Sequence, residues 1–285
     1  LFKGGADILA RANIGSRYAE RIQIVMGQFS ALTFEELFEH VRKLPWERFI
    51  GKNDRFPVKG WSLESKLHSI PDCQAIIKKA VVECLKNRYR VEWFEETGAL
   101  YQIQFTILKD EVTILIDTSG AGLHKRGYRA KAGGAPIKET LAAAIADLAR
   151  VRNAPRVFDP CCGSGTLLIE SALAALRIAP GIKREFTASA WRQVPAEVWR
   201  QERNQAREMS RQIIDFKAWG GDIDSEAVAL TIENAAKAGV GGNITAVKAN
   251  LSEFKTDGGG GVVLCNPPYG ERLLDVRAAE WLIRD

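Results

Sequence analysis

Two short segments hold the residues that could do chemistry. Asp159-Pro160-Cys161-Cys162-Gly163-Ser164-Gly165 sets an acid ahead of two glycines, and Asn266-Pro267-Pro268-Tyr269 sets an amide and a phenol around two prolines. In the second segment the Asn266 side-chain oxygen and the Pro267 carbonyl can accept from both hydrogens of a planar amino group. Such a nitrogen is a poor nucleophile, because its lone pair is delocalised into the ring that bears it. Two aimed acceptors favour a pyramidal nitrogen whose lone pair points at an electrophile. The prolines stiffen the loop and keep the acceptors preorganised, and Tyr269 can stack on the base. The amino proton becomes acidic once nitrogen is alkylated, so no strong general base is required. The chemistry expected is methyl transfer onto an exocyclic nitrogen, carried by placement and electrostatics.

The first segment suits the donor of that methyl group. Gly163 and Gly165 allow a tight turn and close backbone approach. A helix starting near Thr166 offers unpaired N–H groups and the positive end of its dipole. The methionine carboxylate of S-adenosylmethionine can use such donors, with Cys161, Gly163, Gly165 and Thr166 lining the loop. Asp159 can accept from the amino group of the same cofactor, directly or through water. A phosphate-binding loop would need Gly-Lys-Ser/Thr, whereas Gly165 is followed by Thr166-Leu167, and a dinucleotide fingerprint would need glycine or alanine where Leu168 stands. Asp222, in Gly220-Gly221-Asp222-Ile223-Asp224, is the expected acceptor for the ribose hydroxyls, with Asp224 or Ser225 capping the next helix. Asn250 either accepts from the adenine amino group or shapes a turn. A ligand-free strand-to-helix turn and a strand-ending Pro-Pro turn are the plain alternatives. They lose ground because cofactor loop, ribose acid and amino-group loop follow one another in order.

The elements that must position these residues change character along the chain. Thr33-Phe34-Glu35-Glu36 reads as a capping box ahead of a helix, Pro71 suits the first turn of a second helix, and residues 101–107 and 112–116 alternate as strands around a Lys109-Asp110 turn. Before these, a helix and a strand around 21–26 are expected. The first 120 residues therefore read as α+β. A glycine-rich basic stretch, 120–134, marks the domain boundary. Beyond it come helix 136–149, a strand ending at Asp159, a helix from Thr166, a charged helix over 196–214, a strand reaching Asp222, helix 225–238, a strand at 244–247 and a strand at 262–265. That alternation predicts a parallel doubly wound sheet, with 177–215 as an insertion because Asp222 lies far from Asp159.

The 285 residues carry 40 Lys and Arg against 35 Asp and Glu, a net charge of +5. That is a mild bias towards polyanions and does not establish one. No apolar run approaches the roughly 20 residues of a membrane span. The five cysteines form no C-x-x-C pair and there are only three histidines, so no metal site is expected, and the scattered thiols fit a cytoplasmic protein. Lys125, Arg126, Arg129 and Lys131, with Tyr128 among them, form a basic and aromatic cluster suited to RNA phosphates and a stacked base, or else a solvated linker. Lys78 and Lys79 on the second helix are further RNA candidates. Arg200, Arg203, Arg207 and Arg211 share one helix face that reads as solvated. His124 reads as structural.

These residues resemble a known family. The C-terminal half resembles class I S-adenosylmethionine-dependent amino-methyltransferases. The fuller pattern joins 122–129, 135–142, the Asp159 loop and Asn266 to Arg272. It is similar to the THUMP-domain-containing RNA guanine-N2 methyltransferases of the bacterial large-subunit rRNA type, often labelled N6-adenine-specific DNA methylases for their Asn-Pro-Pro-Tyr. Residues 56–60, 65–67 and 74–80 look like the THUMP domain, an RNA-binding module. The resemblance implies a partial ferredoxin-like segment over 1–30, a THUMP domain over 31–120, a basic linker over 121–134 and a C-terminally truncated Rossmann-like methyltransferase domain over 135–285. It implies that Asp159, Gly163, Asp222 and Asn250 contact the cofactor, that Lys138 and Glu139 flank its amino-acid end, and that Asn266 and Tyr269 contact the target base. Guanine-N2 of 23S rRNA is the expected target. Guanine-N2 of tRNA, adenine-N6 of DNA, a protein glutamine and a non-catalytic RNA-binding role are the alternatives.

Overall fold

A computed structural model of the chain describes residues 1–129, 136–210, 215–254 and 260–267. In chain order the elements are α1 (Ala6–Gly15), β1 (Gln23–Ser30), α2 (Phe34–Arg42), β2 (Val58–Leu63), α3 (Ile70–Tyr89), β3 (Ile103–Leu108), β4 (Glu111–Asp117), α4 (Glu139–Leu148), β5 (Arg156–Asp159), α5 (Thr166–Ala175), α6 (Ala196–Glu208), β6 (Lys217–Asp222), α7 (Ser225–Ala238), β7 (Ile244–Lys248) and β8 (Val262–Val263). They fall into two compact units that interleave along the sequence. The first takes Leu1–Asn13, Arg21–Gly122 and Glu185–Arg200, and the second takes Ile14–Glu20, Leu123–Arg184 and Gln201–Asp285.

The first unit is a four-stranded sheet in the order β1-β4-β3-β2. The β2–β3 pair is parallel and the others are antiparallel. Its buried residues come from α2 (Leu37, Val41), α3 (Ile77, Ala80, Val81, Leu85) and the alternating positions Ile103, Phe105, Ile107, Val112, Ile114 and Ile116. Lys109 and Asp110 form the β3–β4 turn with φ of 52° and 65°, the left-handed pair of a tight two-residue hairpin. At α2 the expected capping box is only half formed. Thr33 Oγ1 accepts from the Glu36 N–H at 3.2 Å, but the Glu36 carboxylate reaches back to the N–H of Leu32 at 2.7 Å.

Part of the segment expected as an insertion belongs to this first unit. Trp191 stacks on Tyr101 with centroids 4.4 Å apart, and its indole N–H donates to the Leu100 carbonyl at 2.8 Å. The Gln193 amide donates to the carbonyls of Arg48 and Phe49, and its oxygen accepts from the Tyr101 hydroxyl.

The second unit holds an all-parallel sheet in the order β7-β6-β5-β8. β8 is shorter than the four-residue strand expected at 262–265. α5 is buried along its whole length, as befits a helix apolar nearly all round. Its one charged residue, Glu170, accepts from the Tyr128 hydroxyl at 3.1 Å and from Arg126 Nε at 3.5 Å. Arg17 Nη2 closes the same interior on the carbonyls of Leu173 and Ile178. Among the described residues no helix is long and apolar enough to cross a membrane.

Candidate functional site

In an open parallel sheet, ligands bind beyond the carboxyl ends of the strands where the strand order reverses. Here the order reverses between β5 and β8. β5 ends at Asp159, and Leu264, just past β8, donates its N–H to the Phe158 carbonyl at 2.8 Å. Asn266 and Pro267 follow, both half-buried, so the amino-group loop leaves the sheet beside the cofactor loop. Pro268 and Tyr269 lie outside the described residues, as do Lys131 and Arg211.

Asp159 is 1% exposed. Burial pushes its carboxyl up to about 7, the Asp222 charge adds to the rise, and the Cys161 N–H, donating at 3.2 Å, opposes it. A carboxylate so short of partners suits a ligand that brings a positive charge. The loop then turns through Gly163 and Gly165, with φ of 54° and 78°, a region that side chains other than glycine rarely adopt. A Cβ on Gly163 would meet nothing within 4 Å, whereas one on Gly165 would lie 2.7 Å from a Thr231 methyl carbon.

Two residues of α7, which sequence reasoning missed, hold this loop from behind. Thr231 Oγ1 donates to the Gly163 carbonyl at 2.8 Å, and Asn234 Nδ2 donates to the Ser164 carbonyl at 3.0 Å. Both side chains are fully buried. Their only sequence signal is polarity on a helix face otherwise carrying Ala235 and Ala238 into the core.

Asp222 ends β6 next to β5. One carboxylate oxygen accepts from the Gly163 N–H at 2.9 Å and the other from the Asp224 N–H at 3.0 Å, which orients the group and leaves lone pairs for two hydroxyls. Asp224 is the cap of α7, accepting from the Glu226 N–H. Ile223, between them, is 70% exposed. Asn250 is exposed and opens a short 3-10 turn through its carbonyl. Lys138 is exposed at the start of α4.

The structure divides the RNA-binding candidates. Lys125 and Lys79 are exposed. Arg126 is buried against Glu170 and donates to the carbonyls of Leu123 and Arg17. Arg129 donates to Thr166 Oγ1 at 2.7 Å and to the Ile137 carbonyl at 3.0 Å, and pairs with buried Glu139. Tyr128 is buried with them. Lys78 sits 3.5 Å from the Phe56 ring centroid and pairs with Glu96. These three cations and the tyrosine are therefore spent on internal structure, and among the described residues of the cluster read as a phosphate-binding surface Lys125 alone is an exposed cation. On α6, Arg203 donates to the carbonyls of Ile182 and Arg184, and Arg207 reaches Asn204. Among the described residues no group of three or more His, Cys, Asp or Glu could hold a metal ion.

Residues 126–285 match the RMKL-like methyltransferase domain, and residues 31–117 match the THUMP domain. The chain belongs to the RMKL-like methyltransferase family. It is 43% identical over 287 aligned residues to "Putative RNA methyltransferase YpsC" of Bacillus subtilis, with 100% of this chain and 74% of that protein covered. It is 34% identical to the "Ribosomal RNA large subunit methyltransferase K/L" of Methylococcus capsulatus, covering 97% of this chain and 39% of that protein. Among solved structures, a "predicted N6-adenine-specific DNA methylase" from Listeria monocytogenes superposes with a TM-score of 0.93 at 46% identity, covering 99% of this chain and 74% of that one. SMU.472, solved "complexed with SAH", superposes at 0.91 with 40% identity, covering 98% and 74%. The methyl donor of this family is S-adenosylmethionine. The site of this RMKL-like chain fits it: the partner-poor buried Asp159, a loop with open space over Gly163 and the oriented Asp222 carboxylate stand at one sheet edge.

Proposed function

We propose that this RMKL-like methyltransferase transfers a methyl group to the exocyclic N2 of a guanine in 23S rRNA. The observation that carries the reading is the exit of Asn266-Pro267 from β8, the strand beside the β5 cofactor loop. Asp159 would hold the cofactor's ammonium group, Asp222 its ribose hydroxyls, and Ile223 would offer an apolar face to its adenine. The contributions of Cys161, Gly163, Gly165, Thr166, Asn250 and Lys138 belong to the same proposal. When bound, S-adenosylmethionine supplies an electrophilic methyl group whose sulfonium charge disappears on transfer. The Asn266 amide oxygen and the Pro267 carbonyl would accept from the two amino hydrogens and turn the nitrogen lone pair towards that methyl. Tyr269 would stack on the base. A paired guanine must leave its helix first, at a cost of a few kcal/mol.

The THUMP match and the RNA-methyltransferase relatives support RNA as substrate, and the large-subunit relative supports rRNA. Lys79 and Lys125 would contact phosphates, a sequence-independent contribution. The test is incubation with labelled S-adenosylmethionine and, separately, rRNA, tRNA and duplex DNA, followed by nucleoside analysis. Label in N2-methylguanosine of rRNA is expected. Label confined to tRNA, to DNA adenine or to a protein glutamine would replace the reading, and no label with RNA still bound would leave a binding protein.

A further inference from the structure

α5 starts at Thr166, straight after Gly165, and α4 starts at Glu139, straight after Lys138. Neither start has a side-chain cap. The first intrahelical bonds run from the Ile169 N–H to the Gly165 carbonyl and from the Ala142 N–H to the Lys138 carbonyl, each 2.9 Å long. The N–H groups ahead of them have no partner within their own helices. A single nitrogen joins the two starts. Arg129 Nη2 donates to Thr166 Oγ1 at 2.7 Å, and to the carbonyl of Ile137, the residue before Lys138, at 3.0 Å. The positive dipole ends of α4 and α5 are therefore held close together. The Arg129 charge would add to theirs, but Glu139 Oε1 lies 3.6 Å from Arg129 Nε and offsets it. The start of α5 keeps a positive potential with no fixed charge upon it, and it follows a loop with open space over Gly163. That setting suits a carboxylate.

The same hydrogen bond decides what the Thr166 hydroxyl can do. Its oxygen accepts from Arg129, so its proton must go elsewhere. Its other neighbour, Ser164 Oγ, is 3.4 Å away, beyond the roughly 2.5–3.0 Å of an O–H···O bond. Thr166 is 3% exposed, so bulk water does not take the proton either. Among the described residues this hydroxyl has no close acceptor, and it stands on the first residue of the helix start that suits a carboxylate.

We propose that Arg129 is a positioning residue for the carboxylate end of the cofactor. It fixes the start of α5 against the start of α4 and, by donating to Thr166 Oγ1, reserves the Thr166 hydroxyl proton for that carboxylate. Arg129 itself touches Thr166, Ile137 and Glu139, and acts through them. The inference rests on the cofactor placement proposed above, in which Asp159 takes the ammonium group and the start of α5 takes the carboxylate.

The experiment measures, by calorimetry on the full chain, the affinity for S-adenosylhomocysteine and for its decarboxylated analogue, which keeps the adenosine, the thioether and the ammonium group. Thermal melting is followed on the same samples. Arg129→Gln and Thr166→Val are each expected to weaken S-adenosylhomocysteine binding by about tenfold, the effect of one hydrogen bond to a charged group. Both should bind the decarboxylated analogue within about twofold of the parent. Thr166→Ser, which keeps the hydroxyl, should restore S-adenosylhomocysteine affinity to within about threefold. The double variant should lose clearly less than the product of the two single losses, because both break one link. An Arg129→Gln protein that melts earlier yet binds S-adenosylhomocysteine like the parent overturns the proposal and leaves Arg129 a brace. Equal losses for the two ligands overturn it as well, since they report general disorder of the loop. If Arg129→Gln does not fold, the Thr166 pair decides: parent-like binding by Thr166→Val overturns the proposal, and loss with rescue by Thr166→Ser upholds it. Failure of the parent to bind S-adenosylhomocysteine overturns the cofactor placement and this inference with it, whereas normal binding by the parent with unaffected variants overturns this inference alone.

Discussion

Asp159 shows how one side chain's setting yields a measurable consequence. Its carboxyl titrates near 3.8 in an unfolded chain and at about 7 in the fold, chiefly because it is buried. Between those values the folded protein holds a proton that the unfolded chain has released. The stabilisation is therefore complete below about pH 4 and is lost as pH climbs through about 7, with an upper bound on the order of 4 kcal/mol. The melting temperature of the cofactor-free protein should fall from about pH 5 to about pH 8, and Asp159→Asn should flatten that slope. An ammonium group bound at Asp159 holds the carboxylate charged. Affinity for S-adenosylhomocysteine should then rise with pH up to about 7 and level off, with proton release seen by calorimetry in buffers of different ionisation enthalpy. At the other loop, Asn266→Ala should lower kcat by about a hundredfold or more and leave S-adenosylhomocysteine affinity within about threefold. A variant that transfers methyl groups at the parent rate would remove Asn266 from the chemistry.

At the scale of elements, the cofactor loop is shaped as much by α7 as by its own glycines. Gly165→Ala places a methyl group against Thr231 in a left-handed backbone, and should cost about 1–3 kcal/mol in urea unfolding. Asn234→Ala leaves the Ser164 carbonyl without its buried donor, at a cost of about 1–3 kcal/mol. It should also weaken S-adenosylhomocysteine binding by about tenfold, since 1.4 kcal/mol of lost loop order is one decade of affinity. Undiminished affinity would show that the clamp serves stability alone. The glycines were legible in the sequence because a positive φ needs them. Thr231 and Asn234 were not, because nothing about a polar residue on a helix face says which carbonyl it will meet.

Over the whole chain, the basic residues divide by burial, and the division is open to test. Removing Glu170 strands the Arg126 charge in the interior, so Glu170→Ala should cost about 3–5 kcal/mol of stability. Lys125→Ala should leave stability unchanged and lower RNA affinity, with the slope of log affinity against log salt shallower by about one. An unfolding midpoint unmoved by Glu170→Ala would contradict the buried pair. Sequence alone could not make this division, because Lys125, Arg126 and Arg129 look alike until the chain buries two of them. Nor could it assign 185–200, where Trp191 and Gln193 find partners some 90 to 145 residues away in sequence. What the sequence determined by itself was local: hydrophobic alternation and helical spacing set the elements, and the chemistry of the two loops pointed to methyl transfer before any strand was placed. The tertiary structure decided what depends on distant neighbours. Strand order brought Asp159, Asp222 and Asn266 to one sheet edge, burial raised the Asp159 pKa, and α7 supplied the side chains that tie down the Gly163 and Ser164 carbonyls. Those outcomes depend on proximity between residues far apart in the chain, which only packing creates.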